Sequence, residues 1–356
     1  MVQRFEPERG AVRRGDLGEA RRLLVARGST SLTRDERSSQ RVMLAEVLLL
    51  TAERDEAVRL ANLALAEGAP PADLARACVV RAVARTDAGE LAEALVEFRR
   101  GIELARTTAQ PVEIARAQVR LVATLAERLD SGHLSALAPD VRQNVIRSGD
   151  PHLTAYFYLA EGRVAAKLGA VHRAWHHLDL AAALLPVEPN HVLDALYAFS
   201  ASALCSLTAD RTSAVAYGRR ALHAARLAGY TRLVPGVLAN LAQALVHLGH
   251  IGEAETLLEE GLLQPSLGTE ARLALLDSQA QAALLRHDLA GGRRLVEHIE
   301  ALLAVRETLW DGASLSRLET KVLLALGQGE HHLHGARKSR EIKNTKRRDH
   351  VPGMDD

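Results

Sequence analysis

Apolar residues recur three or four positions apart along most of this chain, the spacing that places them on one face of an α-helix. Leu238, Leu241, Leu245 and Leu248 form one such stripe, and Leu257 and Leu258 resume it after a break at Gly249. Two stripes with a short break predict a helix–turn–helix hairpin whose apolar faces meet. The break belongs to a phrase that returns: Gly or Ala, a variable position, an apolar residue or Arg, another variable position, often Glu, then Ala. It reads GDLGEA at Gly15–Ala20, AERDEA at Ala52–Ala57, GELAEA at Gly89–Ala94 and GAVHRA at Gly169–Ala174. ADRTSA at Ala209–Ala214, GHIGEA at Gly249–Ala254 and a degraded HDLAGG at His287–Gly292 continue it. Successive copies end 37 to 40 residues apart, except for an interval of 80 between Ala94 and Ala174. A missing copy is therefore expected near Ala136, where GHLSAL (Gly132–Leu137) is a weak match.

Each part of the phrase has a physical task. Gly ends the first helix in a left-handed cap that costs it little. The apolar residue (Leu17, Leu91, Ile251) anchors the turn, and Glu in the first turn of the second helix suits the helix dipole. The closing Ala lets the two helices cross closely. Helix pairs at a fixed period are the signature of a solenoid, in which each unit buries its apolar face only against its neighbours. Helices are expected over most of residues 11–328, with turns at Asp16, Arg54, Glu90, Ala170, Asp210 and His250 and without strands.

Composition agrees with an all-α chain. Hydrophobic residues make up 47% of it and aromatics 3%, so the apolar content is chiefly Ala, Leu and Val, and Ala and Leu favour helices. A formal net charge of +1 gives no global field for nucleic acid or an anionic membrane. The best apolar run, Val42–Thr51, contains Glu46 and is too short to span a bilayer, and Met1–Arg14 is charged and unlike a signal peptide. A cytoplasmic location is the expectation. Cys78 and Cys205 fit no metal or redox spacing and read as buried small hydrophobes.

No phosphate loop, zincin helix, nucleophile elbow or kinase signature occurs. His172 and His176 are four apart, as Zn²⁺ ligands on a helix can be, but share their face with Arg173 and Asp179 and read as solvated. Glu56, Glu93 and Glu253 recur at one repeat position, which marks them as structural. The expectation is therefore no enzyme, no metal and no cofactor.

One unit carries Tyr158, Gly162, Ala165, Gly169, Ala174, Leu178 and Pro186; another carries Asn240-Leu241-Ala242, Leu245, Gly249, Ala254 and Leu258. At these spacings the chain resembles the tetratricopeptide repeat family over roughly residues 11–330. The period, about 39, is longer than that family's roughly 34, and such lengthened repeats are similar to those of large bacterial signalling and transcription regulators. The resemblance implies an α-solenoid of about eight helix pairs forming a right-handed superhelix, its concave surface lined by the first helix of every pair. Residues 1–330 are read as this solenoid, with an incomplete first unit (Pro7 falling in mid-helix) and a weak fourth. Leu315–Leu326 reads as the first helix of a ninth unit, stopping at Gly327.

Of the eleven aromatic residues, eight lie between Tyr156 and Tyr230, and of these Tyr158 and Trp175 read as packing. The repeat geometry implied by the resemblance puts Tyr156, Arg163, Lys167, Phe199, Asn240, Gln243 and His247 on the concave face. Arg163 and Lys167, four apart, make one cationic spot for a ligand with an acidic group and an apolar body. The Lys/Asn/Arg set with which chaperone-type relatives clamp a peptide carboxylate is incomplete. The expected role is a protein- or peptide-binding scaffold, the regulatory segment of a larger signalling or transcription-regulatory protein. The alternative is a small-molecule or signal-peptide sensor whose superhelical pitch changes, which a closed aromatic pocket under Tyr156 and Phe199 would favour. Residues 331–356 read as a disordered basic tail (Arg337, Lys338, Arg340, Lys343, Lys346, Arg347, Arg348), the one place for nucleic acid. Its His331, His332 and His334 lack a supporting carboxylate or Cys. Uncapped ends are expected to permit self-association.

Overall fold

The computed structural model describes residues 5–27, 32–128, 131–185, 189–265 and 267–304. Among these residues sixteen helices follow one another as eight pairs. They are α1 (Glu6–Arg14) with α2 (Leu17–Ala26), α3 (Arg34–Leu50) with α4 (Arg54–Ala66), α5 (Pro71–Ala88) with α6 (Leu91–Thr107), and α7 (Pro111–Arg128) with α8 (Ser131–Ser148). Then come α9 (Pro151–Lys167) with α10 (Val171–Ala182), α11 (His191–Leu207) with α12 (Arg211–Ala228), α13 (Val234–Leu248) with α14 (Ile251–Leu262), and α15 (Thr269–Leu285) with α16 (Leu289–Ala304). There is no strand among the described residues. From α3 onward every first helix packs on its own partner and on the first helix of the next pair, the contact pattern of an α-solenoid.

The repeated phrase forms the same turn each time. Its first residue has positive φ at all seven clear copies: Gly15, Gly89, Gly169 and Gly249, but also Ala52, Ala209 and His287. The second residue is the N-cap of the following helix at Asp16, Glu90, Ala170, Asp210 and His250. In the second unit that place belongs to Glu53, and Arg54, the expected turn, is already helical. Asp16 accepts the Glu19 N–H at 2.8 Å and Asp210 the Ser213 N–H at 3.1 Å, satisfying donors that a helix start leaves open. The closing Ala is fully buried at Ala20, Ala57, Ala94, Ala174, Ala214 and Ala254. First helices begin on independent signals: Thr33 and Glu36 form a reciprocal capping box, Asp150 accepts the His152 and Leu153 N–H groups, and Pro71, Pro111 and Pro151 open their helices.

Two further expectations are corrected. Pro7 does not interrupt a helix: α1 begins at Glu6, so Pro7 occupies its first turn, where the missing N–H is not needed. The leading helix is short but ends in an αL cap at Gly15. In the fourth unit Gly132 lies inside α8 instead of capping α7, and α8 also holds Pro139, so the pair forms with its turn earlier than GHLSAL suggested. Leu315–Leu326 and residues 331–356 lie outside the described residues.

The core shows a connection that nearest-neighbour stacking does not provide. Phe5, Ala11, Leu17 and Leu24 of the first pair belong to the same buried cluster as Leu159, Leu178, Leu193, Leu204 and Leu238. Asn190, the N-cap of α11, donates from Nδ2 to the Arg13 carbonyl at 2.7 Å. Farther on, the Arg232 N–H donates to the Leu50 carbonyl at 3.1 Å, and its guanidinium takes both oxygens of Asp87 at 2.7 and 3.0 Å. The first three pairs thus touch the sixth pair and the link into the seventh, and the superhelix closes on itself.

Candidate concave binding cavity

Closure turns the concave face into a cavity of about 240 Å³. Its wall is the inner stripe of successive first helices, at helical spacing: Met43, Glu46, Val47 and Leu50 on α3; Arg76, Val79 and Val83 on α5; Glu113, Arg116 and Arg120 on α7; Leu153 and Tyr156 on α9; Leu193 and Leu196 on α11. Val12, Arg13 and Leu17 of the first pair cover one side, and Tyr230, in the link between α12 and α13, reaches it from the other.

The wall is apolar with charges set into it, and the charges are organised. Arg76 forks onto Glu46, with Nε 3.0 Å from Oε1, and stands 3.6 Å from Asp73. Burial opposes ionisation of Glu46, but the Arg76 charge and hydrogen bonds outweigh it and hold the carboxyl below its ordinary value. Asp73 goes the other way: burial raises it, although Arg76 and the Ser39 hydroxyl at 2.5 Å pull it down. On α7, Arg116 pairs with Glu113 at 2.6 Å through Oε1, while Glu113 Oε2 is buried without a hydrogen-bond partner. Arg120 donates to the Tyr156 hydroxyl at 3.2 Å and lies 5.0 Å from the centre of the same ring.

Of the seven residues singled out from the sequence, Tyr156 lines this cavity and the other six stand outside its wall. Arg163 and Lys167 continue the stripe of α9 past Tyr156, and the Lys167 ammonium donates to the Ala126 carbonyl at 2.9 Å, near the end of α7. Phe199 is half-buried against α13, where a methyl on Gly236 would meet its ring at 3.4 Å. Asn240, Gln243 and His247 are half-buried on α13. Most of the aromatic concentration packs between helices: Phe157 is fully buried, Tyr158 stacks on His177 at 6.2 Å, and Tyr197 meets Tyr217 edge-on. Glu46, Arg76, Glu113 and Arg120 are not distinguished by the sequence, because a lone charge at a helical position looks like a solvated face; their shared inner register is the available signal.

Burial pushes both the Cys78 and Cys205 thiols up to about 11, so neither is a thiolate at neutral pH. Among the described residues no group of three or more His, Cys, Asp or Glu could hold a metal ion, and His172 and His176 face solvent. No described helix is long and apolar enough to cross a membrane.

No family model and no curated protein matches this sequence. Among solved structures the chain is similar to aspartyl phosphate phosphatase F from Bacillus subtilis, with a TM-score of 0.52 over 91% of this chain and 94% of that one. Identity is 12%, so the likeness is one of fold: an all-α solenoid of tetratricopeptide-like helix pairs.

Proposed function

We propose that this chain is a non-catalytic binding scaffold, the regulatory segment of a bacterial signalling or transcription-regulatory protein, and that its concave interior is the recognition surface. One observation carries this reading: the inner stripes of five consecutive first helices converge on one cavity and bring partly buried charges into it. Helix stacking alone needs only apolar contacts, and charges removed from water cost several kcal/mol each before pairing. Their concentration on the inner face fits recognition of a ligand or of a partner segment. The closure by Arg232 and Asp87 favours, as a second reading, a sensor whose superhelix opens and closes around its ligand.

The test is photo-crosslinking from inside and outside the array. Benzoylphenylalanine in place of Tyr156 is expected to capture a defined partner or ligand in cells, and the same group in place of the exposed His172 is not. Capture only from position 172 would reject the concave interior as the recognition surface.

A further inference from the structure

The charges in the cavity do not cancel pair by pair. Arg76 is engaged by Glu46, Arg116 by Glu113, and Arg13 by Glu6 outside the wall. Asp150 is occupied as the cap of α9, accepting two backbone N–H groups. Arg120 remains. Among the described residues no carboxylate oxygen comes within 4.0 Å of its guanidinium, whose hydrogen bond is to the neutral Tyr156 hydroxyl. A half-buried guanidinium with donors to spare and a neutral phenol for company is a place where an incoming carboxylate gains a paired, charge-assisted contact.

The rest of the wall limits the body that such a carboxylate can carry. Met43, Val47, Val79, Val83, Leu153 and Leu196 present an apolar surface. The volume lies just under the roughly 300–1,000 Å³ of pockets for drug-sized ligands. Two turns of α7 away from Arg120 the buried Glu113 Oε2 has no donor. A second carboxylate on the ligand would meet this oxygen, which already lacks a donor.

We infer that the concave cavity binds a small monocarboxylate with an apolar body, its carboxylate anchored by Arg120 and its chain lying along α3 and α5. This rests on the concave-interior reading above and adds the ligand's chemistry to it. A free short-chain acid and the C-terminal end of a peptide share that chemistry; the volume favours the free acid.

The probes are straight-chain monocarboxylates from butanoate to octanoate, the matching primary alcohols, the dicarboxylate adipate, and acetyl-Ala-Leu with a free or amidated C-terminus, titrated calorimetrically into the full chain. Affinity is expected to rise with chain length, to exceed that for the matching alcohol and for adipate by about tenfold or more, and to exceed that for the free peptide. Arg120→Met should remove the preference for the acid over the alcohol and Arg120→Lys should weaken it, whereas Arg59→Met, on the exposed outer face, should change nothing. Tighter binding of the free peptide than of any acid, with loss on amidation, would overturn the free-acid assignment. Equal affinity for acid and alcohol in the wild-type chain overturns the proposal without reference to any variant, as does an acid preference undiminished in a folded Arg120→Met chain. Crosslinking from position 156 combined with either of those results would remove the ligand class and leave the concave surface standing.

Discussion

Arg232 holds Asp87 across 145 residues of sequence, with Nε and Nη2 each on a different carboxylate oxygen at 3.0 and 2.7 Å. Both side chains are about three-quarters shielded, at 23% and 29% exposure, so solvent does not screen the pair as it does a surface ion pair. With the Arg232 N–H on the Leu50 carbonyl, this contact fastens the second and third pairs to the link before the seventh.

Arg232→Ala should therefore loosen the ring without melting helices. A loss of about 1.5–3 kcal/mol in unfolding free energy is expected, the range for hydrogen bonds to charged groups. Small-angle scattering should show a larger radius of gyration at unchanged circular dichroism. An unaltered radius, together with unaltered amide exchange in α1 and α2, would mean that the apolar contacts of the first pair close the ring unaided.

Gly15 offers an independent handle on the same closure. Its φ is +68°, and a methyl there would fall 2.7 Å from the Val192 nitrogen and 2.9 Å from the His191 nitrogen, both backbone atoms that cannot step aside. Gly169 has φ +74°, and a methyl there would find nothing within 4 Å. Gly169→Ala should thus cost about 1 kcal/mol, the left-handed backbone alone. Gly15→Ala should cost more and accelerate amide exchange in α1 and α2. Equal effects of the two substitutions would show that the first pair is not pressed onto α11.

These two sites mark the boundary of what the sequence discloses. The turns were legible because one phrase repeats; its register reveals the positive φ of Ala52, Ala209 and His287, which residue type alone would not. The closure was not legible, since a periodic pattern reports contacts between neighbouring units and Asp87, Arg232, Gly15 and Asn190 meet outside that pattern. The cavity was legible in part. Tyr156 followed from the repeat geometry, whereas Lys167, on the same stripe of α9, lies past the cavity, and its ammonium contacts the Ala126 carbonyl near the end of α7. Arg120 is one arginine among many and acquires meaning only from the structure, where among the described residues no carboxylate oxygen stands within 4.0 Å of its guanidinium.

Within a unit, Ala174 shows what the closing residue of the phrase does. It is 1% exposed, and its carbonyl would lie 3.4 Å from a methyl on Gly162, so α9 and α10 cross at small residues on both sides. Ala174→Gly should cost roughly 0.5–1 kcal/mol through helix propensity. Ala174→Leu should cost about 1–3 kcal/mol or more because the helices must separate. Chemical denaturation of both variants checks the order; a leucine tolerated as well as glycine would show that the crossing is loose.

His177 supplies the pH dependence. It is buried on α10 against the Tyr158 ring, with Nδ1 3.6 Å from Glu161, whose carboxylate Arg142 grips at 2.8 and 3.0 Å. Burial is the largest influence and lowers its pKa; Glu161 raises it, and His176, Arg173 and Arg142 lower it further, so the net shift is downward from 6.5. The unfolded chain then takes up the proton more readily than the folded one. The contribution of His177 to stability is complete above about pH 6.5 and is lost as pH falls from there towards its folded value, by at most about 1.4 kcal/mol per pH unit. Denaturation midpoints at about pH 7.5 and about pH 5.5 should differ less in His177→Phe than in the wild-type chain, while His223→Gln, at an exposed position on α12 away from His177, should leave the difference intact. If His177→Phe keeps the full wild-type difference, the titrating group lies elsewhere and the imidazole is not held neutral by its burial.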